Sequence, residues 1–180
     1  MPAGPGEIAN VVVEPSVNTT AHLIFDVDAQ PYACPISIIQ HLIRYVDVSI
    51  TPSPAGASTW EVGRMVAESD TAGIPVLSLR LLWGLPDAVG TLNQSRQAIL
   101  IVNLAGKQCA LLVDNCRCVL TRLPEEQVEF HLSPELQSAR GRAFKLATRW
   151  EDSLLVVLEL DRLLEFAPVR PAALAEALCP

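Results

Sequence analysis

The chain has 180 residues, of which 50% are apolar and 18% are charged, and its formal net charge is -7. This composition excludes an intrinsically disordered chain, and the acidic balance argues against nucleic-acid binding through a large basic face. The length favours one domain, and fourteen prolines with nine glycines argue against a bundle of long helices, because both residue types interrupt helices.

The chain begins with a tail over residues 1–19 that is interrupted by prolines and glycines, and we expect this tail to be disordered. Apolar and polar residues then alternate over residues 22–27. This alternation predicts a half-buried strand with its acidic side chains outward. A turn and a second short strand are predicted over residues 29–34.

A helix is predicted next, over residues 36–45. Pro35 suits the first turn of a helix, and Ile36, Ile39 and Ile43 follow at helical spacing. The apolar residues of this segment cover more than one face of a helix. One face should therefore pack inward, and the surplus is available to a partner. The alternative is that both faces are buried.

Short strands dominate the remaining sequence. Strands are predicted over residues 46–50, 60–66, 74–80, 98–104, 108–113, 116–123, 144–150 and 154–160, with a turn at 69–73, a helical turn at 134–138 and short helices at 81–86 and 161–166. About nine or ten strands at this spacing indicate a mainly antiparallel β-barrel or sandwich. Residues 167–180 form a C-terminal tail or a short helix, which is marginal unless it docks.

The acidic charge is concentrated in the first half of the chain. Residues 1–90 hold nine acidic and three basic residues, whereas residues 91–180 hold eleven acidic and ten basic residues. No apolar run reaches the roughly 18 residues of a membrane span, and residues 1–10 lack the pattern of a secretion signal. Five cysteines are too few for a secreted disulfide scaffold. We therefore expect a cytoplasmic protein without direct membrane insertion.

Motifs for catalysis and for cofactors are absent from the sequence. It contains no phosphate-binding loop, no dinucleotide fingerprint and no nucleophile elbow. The three histidines are isolated from one another, and each is interpreted as a surface residue. Asp26 and Asp28 are interpreted as a solvated strand end rather than as a catalytic pair. We therefore predict a binding module with no enzyme activity, no cofactor and no metal.

Cys116 and Cys118 are the strongest candidates for a metal or redox site, because a strand places residues i and i+2 on one face. Zinc requires four ligands, usually from two such pairs, and the sequence offers no second pair. We therefore interpret the two cysteines as apolar thiols in a β core. A metal or redox module is therefore the weakest functional hypothesis that we consider for this sequence.

Residues 32–44 (YACPISIIQHLIR) resemble the pattern "YALP-I-x-x-V-x-E-I-I-R", and residues 75–86 (PVLSLRLLWGLP) resemble "P-V-I-D-L-R-x-x-F-G-L-P". These patterns are typical of CheW-like coupling proteins, a family that the chain resembles in five segments in register. Three further segments agree in order and spacing, namely residues 50–54 (ITPSP), 98–114 (ending ALLVD) and 154–164 (LLVVLELDRLL). The resemblance extends over residues 22–165.

The resemblance implies a fold and a role. The fold would be one mainly β domain over residues 20–166, with two five-stranded SH3-like barrels on a shared core and a few short helices. Proteins of this family bridge a CheA-type histidine kinase to the cytoplasmic tips of chemoreceptors in bacterial chemosensory arrays. One barrel face would pair with the regulatory domain of the kinase, and the groove between the barrels would hold receptor helices.

The segment over residues 63–73 departs from the family pattern. Where the family has "G-V-x-N-L-R-G", this chain has a longer segment, GRMVAESDTAG, without the Arg-Gly pair that supports partner contacts. His41 also stands where the family has Glu. These departures motivate an alternative, a CheW-like scaffold with a different partner in a pilus-associated motility or polar-localisation system.

The candidate partner contacts are apolar or basic residues. Trp60 is either a core residue or an interface anchor, and Lys145 with Arg149 form either a solvated charged face or a contact for an acidic patch. The full set of candidates is Ile36, Ile39, His41, Ile43, Arg44, Trp60, Arg64, Arg80, Lys145 and Arg149.

Overall fold

The structure is a computed structural model, and it describes residues 20–57, 59–67, 70–86, 94–104, 106–128 and 143–164. Within these ranges the chain forms two six-stranded sheets. The strands of the first sheet are β1 (His22–Val27), β2 (Gln30–Pro35), β9 (Asn115–Leu120), β10 (Gln127–Val128), β11 (Phe144–Trp150) and β12 (Ser153–Leu158). Their order is β10-β11-β12-β2-β1-β9.

The second sheet is built from the middle of the chain. Its strands are β3 (Ile39–Arg44), β4 (Ile50–Thr51), β5 (Glu61–Ala67), β6 (Asp70–Ser78), β7 (Ala98–Leu104) and β8 (Lys107–Val113). Their order is β3-β7-β8-β6-β5-β4. Neighbouring strands are antiparallel except for two parallel pairs, β12 with β2 and β6 with β8.

Helices are short in the described part of the chain. Two 3-10 helices, Ile36–Ile38 and Tyr45–Asp47, flank β3, and the α-helices are α1 (Leu79–Leu82) and α2 (Asp161–Leu164). None of the helices in the described ranges has the length and apolarity to cross a membrane.

The described residues form three apolar clusters. The largest is a shared core between the sheets, and each sheet has a smaller cluster of its own on the other face. In β7, Leu100 and Val102 enter the shared core, whereas Ile99 and Ile101 enter the cluster of the second sheet. This alternation follows from the period of two in a strand, and it explains why the central strands are apolar on both faces.

The mainly β fold with two subdomains is confirmed. Each sheet contains five longer strands, as the resemblance implies, and one additional strand of two residues at an edge. These additional strands are β4 and β10. Because β4 and β10 are so short, their sequences carry no alternation from which they could be predicted.

The prediction of a helix over residues 36–45 is wrong. A 3-10 turn is followed by β3, which pairs with β7 as an edge strand among the described strands. The β-branched isoleucines of this segment favour extended backbone. Strand 46–50 is also corrected, because a 3-10 helix occupies Tyr45–Asp47 and the paired strand β4 comprises Ile50–Thr51.

The expectation that β1 is half-buried with its acids outward is wrong as well. All six residues of β1 are buried, because β1 lies between β2 and β9 and has an apolar cluster on each face. The side chain of Asp26 is therefore inside the protein, with Asp26 only 7% exposed. Its charge is compensated by Arg117, whose Nε lies 2.8 Å from a carboxylate oxygen of Asp26.

One further expectation differs from the structure, and three predicted segments lie outside the described residues. The predicted turn at 69–73 extends too far along the chain, because β6 already starts at Asp70. The tails over 1–19 and 167–180 and the helical turn at 134–138 lie outside the described residues.

Replacing Ala29 with glycine should stabilise the protein by about 0.5–1 kcal/mol, measured by urea unfolding. Asp28 and Ala29 form the two-residue turn between β1 and β2, and their φ angles are 54° and 63°. An alanine side chain disfavours this left-handed backbone, whereas glycine adopts it without steric cost.

The matched control is Ala55→Gly. Ala55 is also an exposed turn residue, but its φ is not positive. The same substitution should therefore lower stability at this position. Equal effects at both positions would contradict the explanation by backbone conformation.

Candidate partner-binding surfaces

Exposed apolar side chains are concentrated along β3 and its flanking 3-10 helices. Leu42 and Val46 are each 51% exposed, and Ile36 is also exposed. His41 and Arg44 are exposed between them, and Arg44 pairs with Asp47 at 2.8 Å. We call this surface the β3 strip, and its members are Ile36, His41, Leu42, Arg44 and Val46.

A β-bulge decides which apolar cluster each isoleucine of β3 packs against. Ile39 pairs with Val102 and His41 pairs with Ile101, so Gln40 is an extra residue in the ladder. Ile39 consequently packs on the shared core, whereas Ile43 packs on the cluster of the second sheet. Both predicted contact residues are therefore partly buried.

Leu42 and Val46 are exposed residues that the set of candidate contacts does not contain. In a helix Leu42 would be one of several apolar positions, and nothing in the sequence separates it from Ile39 or Ile43. The bulge in the edge strand β3 gives these three residues different environments. No residue type in this segment predicts the bulge. Leu42 is exposed because β3 has no neighbour on its outer side among the described strands.

A cleft of about 450 Å³ lies where the chain leaves the first sheet for the second. We call it the β12 cleft. Its apolar residues in the described ranges are Pro35, Ile38, Val157, Leu158 and Leu160, of which Pro35 and Ile38 are half-buried and the other three are buried. Its volume is within the range of about 300–1,000 Å³ that is typical of ligand sites.

The rim of the β12 cleft is charged but balanced. Glu159 lies 3.9 Å from Lys145 Nζ and 2.6 Å from Arg162 Nε, and Asp161 adds a second carboxylate. The two cations are thus matched by two carboxylates. The electrostatics of this rim favour an uncharged, apolar occupant over a free anion.

His22 lines the β12 cleft as a buried side chain, contrary to the expectation of a surface histidine. Burial lowers the pKa of its imidazole, a backbone hydrogen bond with Thr20 acts in the opposite direction, and the charge of Lys145 lowers the pKa further. His22 is therefore neutral at neutral pH. Its Nδ1 is buried and has no hydrogen-bond partner among the described residues.

The side chain of Arg80 is largely buried and connects the two sheets. Its Nη1 lies 2.7 Å from Asp114 and its Nη2 lies 3.0 Å from Asp28, while its Nε donates to the Pro86 carbonyl at 3.0 Å. The side chains of Arg80 and Asp114 are each only 12% exposed. In this arrangement the guanidinium is bound internally, and it is not presented to a partner.

The remaining candidates are dispersed over the surface. Arg64 is half-buried on β5 and pairs with Glu61 at 3.0 Å, and Trp60 packs against the shared core. Lys145 and Arg149 are exposed on β11, as predicted, and face Glu159 and Glu126. The structure thus groups Ile36, His41 and Arg44 on the exposed surface around β3, where Ile39 and Ile43 are partly buried. It separates this segment from the other candidates, which are Trp60, Arg64, Arg80, Lys145 and Arg149.

The interpretation of Cys116 and Cys118 as core thiols on one face is corrected. A bulge at Arg117 lies between the two cysteines in β9, because Cys116 pairs with Phe25 and Cys118 pairs with the adjacent Ile24. Phe25 enters the shared core and Ile24 the cluster of the first sheet, so the two cysteines point to opposite faces. Cys118 is exposed because β9 is an edge strand.

Burial raises the pKa of the Cys34 and Cys116 thiols to about 12 and that of Cys109 to about 11. These thiols are therefore protonated and poor nucleophiles at neutral pH. In the part of the chain that the structure describes, no cluster of three or more His, Cys, Asp or Glu residues could hold a metal.

The model of the CheW-like domain family matches residues 21–167 of the chain. Among solved structures, the fold is similar to the crystal structure of scaffolding protein TtCheW from Thermoanaerobacter tengcongensis, with a TM-score of 0.64 and 19% sequence identity. This similarity covers 82% of the present chain and 93% of that one. No curated protein matches the sequence significantly.

The two findings support different conclusions. At 19% identity the structural similarity establishes the fold, whereas the family match extends over most of the chain. The chain therefore belongs to the CheW-like domain family, a family of non-catalytic scaffold proteins.

Proposed function

We propose that this protein is an adaptor that couples a CheA-type histidine kinase to chemoreceptors. Membership of the CheW-like family supports a scaffold role in chemotaxis. The observation that carries the specific proposal is the presence of two separate apolar surfaces, since a bridging protein must bind two partners at once. These surfaces are the β3 strip and the β12 cleft.

The β3 strip fits the regulatory domain of the kinase. An extended apolar edge of a sheet suits another β domain, which offers a surface of similar shape. The strip combines apolar anchors with Arg44 and His41, and a mixture of apolar and polar side chains is typical of interfaces between proteins that also exist alone.

The β12 cleft fits the helical tip of a receptor. A concave apolar surface takes the apolar face of an amphipathic helix, which inserts side chains at a spacing of three or four residues. Half-buried Pro35 and Ile38 provide such a surface, with the charged rim beside it. A protein that binds receptor tips in this way would lie in the cytoplasm, next to membrane-bound receptors.

The alternative partner is supported by the segment that departs from the family. Val66 is the most exposed large apolar residue in the described ranges, and it lies on β5 within that segment. A scaffold for pilus-associated motility or polar localisation would use this side chain as a contact. The experiment below distinguishes the two proposals.

Replacing Leu42 with aspartate should weaken binding of a CheA-type kinase regulatory domain by at least about tenfold, measured by isothermal titration calorimetry. The reason is that a buried apolar anchor in an interface typically contributes about 2 kcal/mol or more. Binding of a receptor-tip fragment should be unchanged, because Leu42 lies outside the cleft lining.

Val119→Asp is the matched control. Val119 is exposed to a similar degree on an edge strand, but it belongs to the first sheet. Equal binding by the parent and both variants would contradict the assignment of the β3 strip. Absence of kinase binding by the parent protein, together with a partner lost on Val66→Asp, would support the alternative.

A further inference from the structure

Arg44 is the most exposed cationic side chain in the acidic first half of the chain. Residues 1–90 contain three arginines and no lysine. The side chains of Arg64 and Arg80 are 31% and 12% exposed, whereas that of Arg44 is 70% exposed. The β3 strip therefore presents a positive group on a half of the chain that is otherwise rich in carboxylates.

The ion pair of Arg44 with Asp47 uses only one of the N–H groups of the guanidinium. Nε of Arg44 donates to a carboxylate oxygen of Asp47 at 2.8 Å. A guanidinium has five N–H donors in a planar fork, and within the described ranges neither Nη1 nor Nη2 of Arg44 has a partner. Asp47 therefore fixes the orientation of the guanidinium and leaves both Nη groups available.

Arg44 lies beside the apolar anchor Leu42 on one face of β3. Leu42 pairs with Leu100 and Arg44 pairs with Ala98, and both of these β7 residues belong to the shared core. Residues two apart in a strand share a face and are separated by about 7 Å. A partner that covers Leu42 therefore also removes water from Arg44, and this is costly unless the partner supplies acceptors for the guanidinium.

Arg96 adds a second positive charge at this end of β3. The carbonyl of Gln97 accepts a hydrogen bond of 3.0 Å from the backbone N–H of Tyr45, which places Arg96 next to the segment that contains Arg44 and Asp47. Arg96 is exposed and has no ion pair among the described residues. The three charged side chains together carry a net charge of +1, which a single carboxylate would neutralise.

We propose that the partner on the β3 strip binds the two Nη groups of Arg44 through one carboxylate, placed beside the surface that receives Leu42. This proposal rests on the proposed function and deepens it, so the carboxylate belongs to the regulatory domain of the kinase. A carboxylate matches the guanidinium fork with two parallel hydrogen bonds. Asp47 acts as a positioning residue, and a kinase domain with a basic residue at this place is rejected by repulsion.

Replacing Arg44 with glutamine should weaken binding of a CheA-type kinase regulatory domain about tenfold at low salt, measured by isothermal titration calorimetry. The difference from the parent protein should shrink at high salt, because salt screens the charges. Arg44→Lys should have an intermediate effect, since an ammonium group keeps the charge but lacks the planar fork.

The matched control is Arg122→Gln. The side chain of Arg122 is 69% exposed and pairs with Glu125 at the same spacing of three residues, but Arg122 follows β9 of the first sheet. Kinase binding should not change in this variant. Thermal unfolding of both glutamine variants should match the parent protein, because exposed ion pairs contribute little to stability.

Two substitutions of Asp47 separate orientation from charge. Asp47→Ala and Asp47→Asn both remove the negative charge, so they should change the association rate equally. Asparagine keeps an oxygen that accepts the Nε hydrogen bond, whereas alanine does not. The dissociation rate in stopped-flow measurements should therefore rise several-fold for Asp47→Ala only. Equal dissociation rates for the two variants would overturn the positioning role.

Cross-linking identifies the carboxylate on the partner. A carbodiimide joins an amine to a carboxylate that it contacts, so the amine introduced by Arg44→Lys should form an amide with one acidic residue of the kinase domain, located by mass spectrometry. Replacing that acidic residue with arginine should weaken binding, and combining this change with Arg44→Glu should restore it.

Three outcomes would overturn the proposal, and they differ in what they say about the proposed function. Kinase binding that depends on Leu42 but not on Arg44 would overturn the carboxylate contact and leave the proposed function intact. Cross-links from position 44 to a second copy of this chain would replace the kinase as the occupant of the strip. Absence of kinase binding by the parent protein would contradict the proposed function and this contact together.

Discussion

Replacing Arg80 with alanine is expected to lower the free energy of unfolding by about 2 kcal/mol, because it leaves a largely buried carboxylate without its cation. Asp114 is the carboxylate in question, and its side chain is 12% exposed. Asp114 also accepts a hydrogen bond of 2.7 Å from the backbone N–H of Asp28. The measurement is the midpoint of urea unfolding at pH 7.

Two further variants identify the cause of this loss. Arg80→Lys keeps the charge but cannot reproduce three directed bonds, so we expect an intermediate loss. In the double variant with Asp114→Asn, the loss caused by Arg80→Ala should shrink, because no buried charge remains. Additive losses in the double variant would show that the ion pair is not the cause.

The stability of the Arg80→Ala variant also tests the prediction that Arg80 contacts a partner. Arg80 is a predicted partner contact, whereas the structure uses it to join α1 of one sheet to the β1–β2 turn of the other. A weaker interaction with partners after Arg80→Ala should therefore accompany a loss of stability. A variant as stable as the parent but unable to bind would restore Arg80 to the set of contacts.

Replacing Gly63 with alanine is expected to lower stability by about 2–3 kcal/mol, the range found when extra atoms are forced into a packed site. A Cβ atom at this position would overlap Cγ2 of Ile50 and would lie 2.6 Å from the carbonyl oxygen of Thr51. Ile50 and Thr51 are the two residues of β4, so the new methyl group should displace this strand from β5.

Thermal unfolding measures the loss, and hydrogen exchange of the β4 and β5 amides locates it. Gly56→Ala is the control, because a Cβ at Gly56 meets no atom within 4 Å and its φ of 86° is the only source of strain. We expect a loss of about 1 kcal/mol for the control. A smaller effect at Gly63 than at Gly56 would contradict the steric explanation.

Strands whose side chains alternate or are apolar throughout can be predicted from the sequence. The bounds of β1, β7 and β11 agree with the predicted ranges 22–27, 98–104 and 144–150. Each of these strands ends at turn residues, which separate it clearly from its neighbours. The sequence does not show which strands are central, and burial on both faces of β1 depends on β9, a strand that is distant along the chain.

Bulges are the features that the sequence does not predict. One extra residue in β3 and one in β9 reverse the faces of the side chains that follow. Ile39 and Ile43 are therefore separated, and so are Cys116 and Cys118. A pattern based on regular spacing places each of these pairs on one face, and only the pairing register reveals the difference.

The candidate surfaces were predictable only in part. The segment containing Ile36, His41 and Arg44 is identified from its surplus of apolar residues, although its predicted helical conformation is wrong. The β12 cleft combines residues from both ends of the described chain, such as His22 and Arg162. No local pattern connects such residues, because their proximity results from the parallel pairing of β2 with β12.

That parallel pairing affects how the molecule is made. The second sheet comprises residues 39–113 without interruption, so its strands can pair as soon as they leave the ribosome. The first sheet joins β1 and β2 to strands synthesised much later, and β2 obtains its neighbour β12 only after residue 158 has emerged. During that interval the β1–β2 hairpin exposes apolar side chains on both faces. Nascent chains of this protein should therefore depend on chaperones until β12 has been synthesised.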